Sequence, residues 1–110
     1  RDGTSVIEAM VDIETEAEQM RTARTFIECL QDAGVTILGN ATDPETQRQV
    51  QMLGPFGREL LIDCAVGMQT CKALGAEVLP STVFGDQIKA GAHDLAWFHE
   101  QTGCDPPRKK

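Results

Sequence analysis

No stretch of the sequence approaches the roughly 18 consecutive apolar residues that a membrane-crossing helix needs, so no transmembrane segment is expected. Basic residues are also scarce: 10 Lys and Arg stand against 17 Asp and Glu, for a formal net charge of −7. Binding to nucleic acid or to an anionic membrane rests on clustered Lys and Arg. The only such cluster is Arg108-Lys109-Lys110 at the C-terminal end, which reads as a solvated tail, with docking as its alternative. Nucleic acid is therefore excluded as the main partner. The sequence has no Cys-x-x-Cys pair. Its four cysteines, Cys29, Cys64, Cys71 and Cys104, are spaced by 35, 7 and 33 positions, and His93 and His99 lie far from the Cys64/Cys71 pair in sequence. That spacing argues against a zinc knuckle, and neither a metal nor a cofactor is expected. Internal repeats and low-complexity segments are absent. No signal peptide is visible and the chain opens on Arg, so a processed or trimmed N-terminus is expected.

What is present fits one small domain. The 110 residues are 41% hydrophobic and 25% charged, ordinary values for a water-exposed globule. An even cysteine count in a short chain permits two disulfides, in any of three connectivities. Ser5-Val6-Ile7-Glu8 has the form of a capping box. After it Val6, Met10, Ile13, Ala17, Met20, Ile27 and Leu30 recur at three- and four-residue steps, interrupted by Arg24, with Glu8, Asp12, Glu14, Glu16 and Glu18 between them. This is an amphipathic helix with its acids toward the favourable N-terminal end of the dipole. It is either one helix of about 27 residues or two broken near Arg21-Thr22, and its first half packs on the domain's own core or on a partner. Residues 1–22 are accordingly read as an acidic helical extension, 23–104 as the folded domain and 105–110 as a disordered tail.

Gly34 suits a left-handed helix cap. Val35 to Leu38 read as a buried strand and Asn40 to Thr42 as a loop. Asp43 is an N-cap, Pro44 a first helical residue, and the helix Glu45 to Leu53 stops at Gly54-Pro55. Leu60 to Cys64 form a second strand and Gln69 to Leu74 a short helix or turn. Leu79 to Phe84 form a third strand, entered through Pro80. Gly85-Asp86 turn the chain into a fourth strand, Gln87 to Ala90. A closing helix spans Ala92 to Gln101, with Leu95, Phe98 and Trp97 as core candidates, and ends at Gly103. A βαβ unit followed by ββα is the thioredoxin order. The expected fold is thus α/β: a four-stranded mixed sheet flanked by helices, thioredoxin-like, with an extra long N-terminal amphipathic helix. Pro80 occupies the place where that fold keeps a cis-proline.

From about Ala23 to Cys104 the chain resembles the thioredoxin-like domain fused to, or partnering, bacterial and plant vitamin K epoxide reductase homologues. The likeness rests on Glu28-Cys29-Leu30 through Gly34, Ile37-Leu38-Gly39, Met52-Leu53-Gly54 and Ile62-Asp63-Cys64. Cys71 with Pro80 nine residues on, Thr82 with Phe84-Gly85, and Asp94-Leu95 to Thr102-Gly103 complete it. The reactive Cys-x-x-Cys of that family begins four residues after the glycine equivalent to Gly39 and ends eight before the one equivalent to Gly54. Both anchors put Asp43 and Thr46 at the two cysteine positions. The resemblance therefore implies a replacement in register, Asp-Pro-Glu-Thr for the redox motif. It also implies a Cys64–Cys71 bridge stapling the loop after the second strand. Cys29 and Cys104 form a second bridge if the ends of their helices meet.

Disulfide exchange needs a thiolate nucleophile, a leaving thiolate and a resolving thiol, and neither Asp43 nor Thr46 can supply one. The leading expectation is a redox-inactive thioredoxin-like binding or structural module, not an enzyme. It would be an accessory subunit of a larger membrane-associated, even photosynthetic, assembly in the thylakoid lumen or the periplasm. Protein partners would be held by the N-terminal helix, by a groove formed by Asp43, Pro44, Leu79, Pro80 and Ser81, or by both. The alternatives are a thiol–disulfide oxidoreductase using Cys64 and Cys71, and a peptide-binding chaperone-like protein. Asp43 with Glu45 as an acid–base pair, and Asn40-Ala41-Thr42 as a glycosylation sequon, are weaker readings. Carboxylates at a helix start are ordinary dipole partners, and three-residue patterns recur by chance. Trp97 remains a candidate partner anchor.

Overall fold

A computed structural model describes residues 2–107, with side chains from Glu16 onward. The tail Arg108-Lys109-Lys110 and the side chains of Val6, Met10 and Ile13 lie outside what is described. The first element, α1, is one continuous helix over Asp2–Asp32, 31 residues without a break at Arg21-Thr22. Nothing between Thr4 and Ala33 interrupts it, because the segment holds neither glycine nor proline. Ser5 therefore lies inside the helix, and the capping-box motif does not mark its start. Gly34, at φ 87°, takes the left-handed position that ends it.

Four strands follow: β1 (Val35–Gly39), β2 (Leu61–Asp63), β3 (Ser81–Phe84) and β4 (Gln87–Ala90). They form one mixed sheet in the order β2-β1-β3-β4. β1 and β2 run parallel, with Ile37 opposite Leu61; β1 and β3 run antiparallel, with Leu38 opposite Ser81; β3 and β4 close a hairpin. The crossover between β1 and β2 carries α2 (Pro44–Met52) and a 3₁₀ turn over Gly57–Leu60. α3 (Met68–Ala73) lies between β2 and β3, and α4 (Leu95–Thr102) closes the chain. This α/β architecture is compatible with a thioredoxin-like fold. Two elements begin two or more residues later than the sequence reading placed them. β3 begins at Ser81, the first residue paired with β1 and β4, and Pro80 before it has no N–H to give the ladder. α4 begins at Leu95, because the Asp94 carboxylate accepts the Trp97 N–H at 2.9 Å and sets the cap there.

The alternation of a strand sends successive side chains to opposite faces, and the two faces are unequally covered. On one, Val35 and Ile37 meet Phe26, Ile27 and Leu30 of α1, Leu53, Leu60 and Phe98, all nearly inaccessible. On the other, the buried apolar side chains are Leu38, Cys64 and Cys71, and Ile62, Val83 and Ile88 are only half covered. Each fully buried large apolar side chain contributes about 1.5–3 kcal/mol, so the C-terminal third of α1 is firmly seated. The same helix has no buried residue from Glu16 to Thr22, and burial begins at Ala23. Of the sequence stripe, Ile27 and Leu30 are core, whereas Ala17 and Met20 are exposed. Arg24, which interrupts the stripe, is accommodated at the edge: its guanidinium sits 3.9 Å from the Phe56 ring centroid and 2.6 Å from Glu59 Oε1. The helix therefore projects, and the molecule measures 61 × 28 × 18 Å. Its radius of gyration of 17.0 Å exceeds the about 13 Å of a compact chain this long.

Candidate functional site

At the C-terminal end of β1 the chain enters a tight turn. Asn40 Oδ1 accepts from the Thr42 N–H at 3.0 Å and from its hydroxyl at 2.8 Å, and the Asn40 carbonyl accepts from Asp43 N at 2.9 Å. Asp43, in extended backbone, caps α2: its Oδ2 accepts from Thr46 N at 3.0 Å and from the Thr46 hydroxyl at 3.2 Å. The Thr46 hydroxyl in turn accepts from Asn40 N at 3.3 Å. Pro44 occupies the first helical position, where its missing N–H costs nothing. Asp43 and Glu45 put negative charge at the positive end of the α2 dipole.

Thr46 is fully buried, and its hydrogen-bonding groups are all engaged within this turn. Its side chain rests directly on β1. A Cβ at Gly39 would lie 2.5 Å from Thr46 Cγ2 and 2.6 Å from Thr46 Oγ1, so the glycine is what lets α2 start this close to the sheet. Gly39→Ala is expected to cost about 1–3 kcal/mol by overpacking. Thr46→Ala in the same chain should cost less than the sum of the two single changes. Urea unfolding of the four chains measures this, and strict additivity would mean that Gly39 and Thr46 do not meet.

The cis bond precedes Pro80, which is buried; the Pro80 carbonyl accepts from Gly91 N at 2.8 Å and the Ser81 hydroxyl donates to the Val78 carbonyl. Because Leu38 pairs with Ser81, the Asn40 turn and the Leu79-Pro80 bend emerge at the same end of the sheet. Between them lies a cleft of about 330 Å³ lined by Asn40, Cys64, Met68, Cys71, Lys72 and Leu79, among others. Of the five predicted groove residues only Leu79 faces this cleft. Pro80 and Ser81 are buried beneath it, and Asp43 and Pro44 stand on the helix side of the turn.

All four cysteines are paired, Cys64 with Cys71 and Cys29 with Cys104. Cys64 and Cys71 are 7% and 4% exposed, and Cys104 is 1% exposed. The second bridge ties the middle of the buried end of α1 to the residue just after the Gly103 cap of α4. Two disulfides are compatible with an oxidising compartment. Among the described residues no helix is long and apolar enough to cross a membrane, and no three His, Cys, Asp or Glu side chains gather as metal ligands.

Two features escaped the sequence reading. Gln49, 1% exposed, exchanges hydrogen bonds with the backbone of His93: Nε2 donates to its carbonyl at 2.9 Å and Oε1 accepts its N–H at 2.6 Å. This fastens α2 to the α4 approach, and His93 stacks on Trp97 at 3.9 Å between ring centroids. A glutamine on a polar helix gives no sign of such a distant partner. The second is a set of exposed apolar residues between β2 and β3, Val66, Met68, Leu74 and Val78, of which Met68 lines the cleft beside Leu79.

No protein-family model and no curated protein matches the sequence.

Proposed function

We propose that this chain is a redox-inactive thioredoxin-like module whose task is to bind other proteins, as an accessory subunit of a larger assembly. The observation that carries this reading is the chemistry at the start of α2. The turn that follows β1 and opposes a cis-proline bend presents a capping carboxylate and a buried threonine hydroxyl. Neither group can act as a soft nucleophile or form a disulfide. The binding surface is the cleft where the exposed Met68 and Leu79 lie, which suits an extended peptide segment. The projecting part of α1 supplies a second contact. Two structural disulfides fit a lumenal or periplasmic site of action, and the thylakoid lumen, beside a membrane-embedded photosynthetic complex, is the setting we favour.

A second reading draws on one observation: Cys64 and Cys71 form part of the cleft wall, with Lys72 beside them. A substrate seated there would lie against a disulfide, as an oxidoreductase requires. Insulin reduction driven by dithiothreitol separates the two. The expected result is no turnover above the reductant alone, with Cys64 and Cys71 labelled by a maleimide only after reduction of the unfolded protein and not after mild reduction of the folded one. Turnover that disappears in Cys64→Ser would establish the enzyme instead.

A further inference from the structure

We propose that the exposed face of α1 and the cleft at its base form one continuous seat for a basic amphipathic helix of a partner protein. This deepens the reading of α1 as a contact element and rests on it. The cleft, about 520 Å³, lies where α1, the end of α2 and α4 converge; Met20, Ala23, Met52, Pro55, Leu95 and Pro107 line it, and no charged residue does. Met20 is 48% exposed and Met52 43%. Toward the N-terminus the same helix continues the pattern, with Val6, Met10, Ile13, Ala17 and Met20 alternating steps of four and three. That average of 3.5 is the spacing of a coiled-coil seam. On this spacing the stripe of the sequence leads to Met20 and Ala23, which line the cleft, so the cleft is the pocket offered to the terminal anchor of an occupying helix.

Charge decides the occupant. Residues 2–20 carry six acids and no base, against a net charge of −7 for the whole chain, so nearly all the excess negative charge belongs to this segment of the sequence. A second copy of α1 would bring acids against acids, whereas a Lys- or Arg-rich helix is complemented along the whole length.

The probe is a fluorescein-labelled synthetic helix, matched in length to residues 2–20, with Leu on the seam positions and Lys elsewhere. Fluorescence anisotropy is read against the intact chain, with a scrambled peptide of equal composition and a Glu-for-Lys peptide as controls. Binding of the Lys helix alone is expected, weakened about tenfold by Met20→Asp or Met52→Asp, a loss of roughly 1.4 kcal/mol. Both positions are exposed enough for those variants to fold. Attraction to bulk negative charge would instead strengthen in the aspartate variants, and the scrambled peptide would bind equally well; either result overturns the proposal. So does a chain that sediments as a dimer and becomes monomeric in Met20→Asp, which would make a second copy the occupant. Insulin reduction does not touch this seat, so the two readings fail separately.

Discussion

Replacing Cys29 and Cys104 by alanine is expected to lower the stability of the fold by about 4 kcal/mol, and replacing Cys64 and Cys71 by only about 2 kcal/mol, in the loop-entropy account of cross-links. The difference follows from the spans they close, separations of 75 and 7 residues. A long closed loop removes far more freedom from the unfolded chain than a short one. The outer bridge also lies in the principal core, where Cys104 packs with Phe98 and the α1 side chains, so its loss loosens the two ends of the folded region together. Against the 5–15 kcal/mol that hold an ordinary domain folded, the larger figure is a substantial part of the total. Urea unfolding of both double variants under oxidising conditions makes the comparison. A larger loss at Cys64/Cys71 would mean that the small bridge holds more than its own loop.

The second large effect is a gain of chemistry. The double variant Asp43→Cys/Thr46→Cys places two thiols at the cap and the first turn of α2, the arrangement that the proposed resemblance implies for this turn. An ordinary cysteine, with a pKa of about 8.5, is roughly 3% thiolate at pH 7, and one lowered to about 7 by a helix N-terminus is about half thiolate. Residue 43 has this environment, because its side chain already takes the α2 N–H of residue 46. Residue 46 is buried behind it, as a resolving thiol should be. The double variant should reduce insulin measurably faster than the parent, and Asp43→Cys alone should form mixed disulfides without turning over. If the double variant forms its bridge yet stays inert, the frame itself is unsuited to exchange and the proposed equivalence fails. The outcome therefore tests the proposed equivalence of the two frames, apart from any partner.

The local elements were legible because their signals are local. The Val35–Leu38 run, the Asp43-Pro44 cap, the Gly85-Asp86 hairpin and the Gly103 stop each depend on side chains or backbone freedom within a few residues. The errors arise where a signal has a non-local cause or a competitor. Ser5 to Glu8 carry a capping pattern inside a helix that starts earlier, since nothing near it breaks the helix. Leu79 looks like strand, yet the ladder begins only at Ser81, beyond a proline that has no N–H to contribute. Of the proposed groove residues, Pro80 and Ser81 are buried, and it is Met68, Lys72 and the Cys64–Cys71 bridge that line the cleft beside Leu79, which residue order alone does not show.

By itself the sequence determined the element order, the acidity of α1, and the absence of thiols at the turn after β1. All of these are properties of residue type and near-neighbour spacing. Tertiary structure decided which cysteines meet, that Thr46 is sealed against Gly39, that Gln49 serves the distant His93 backbone, and that α1 runs unbroken beyond its core. Those depend on pairs far apart in sequence being brought together by sheet register and helix packing, and residue spacing carries no direct record of them.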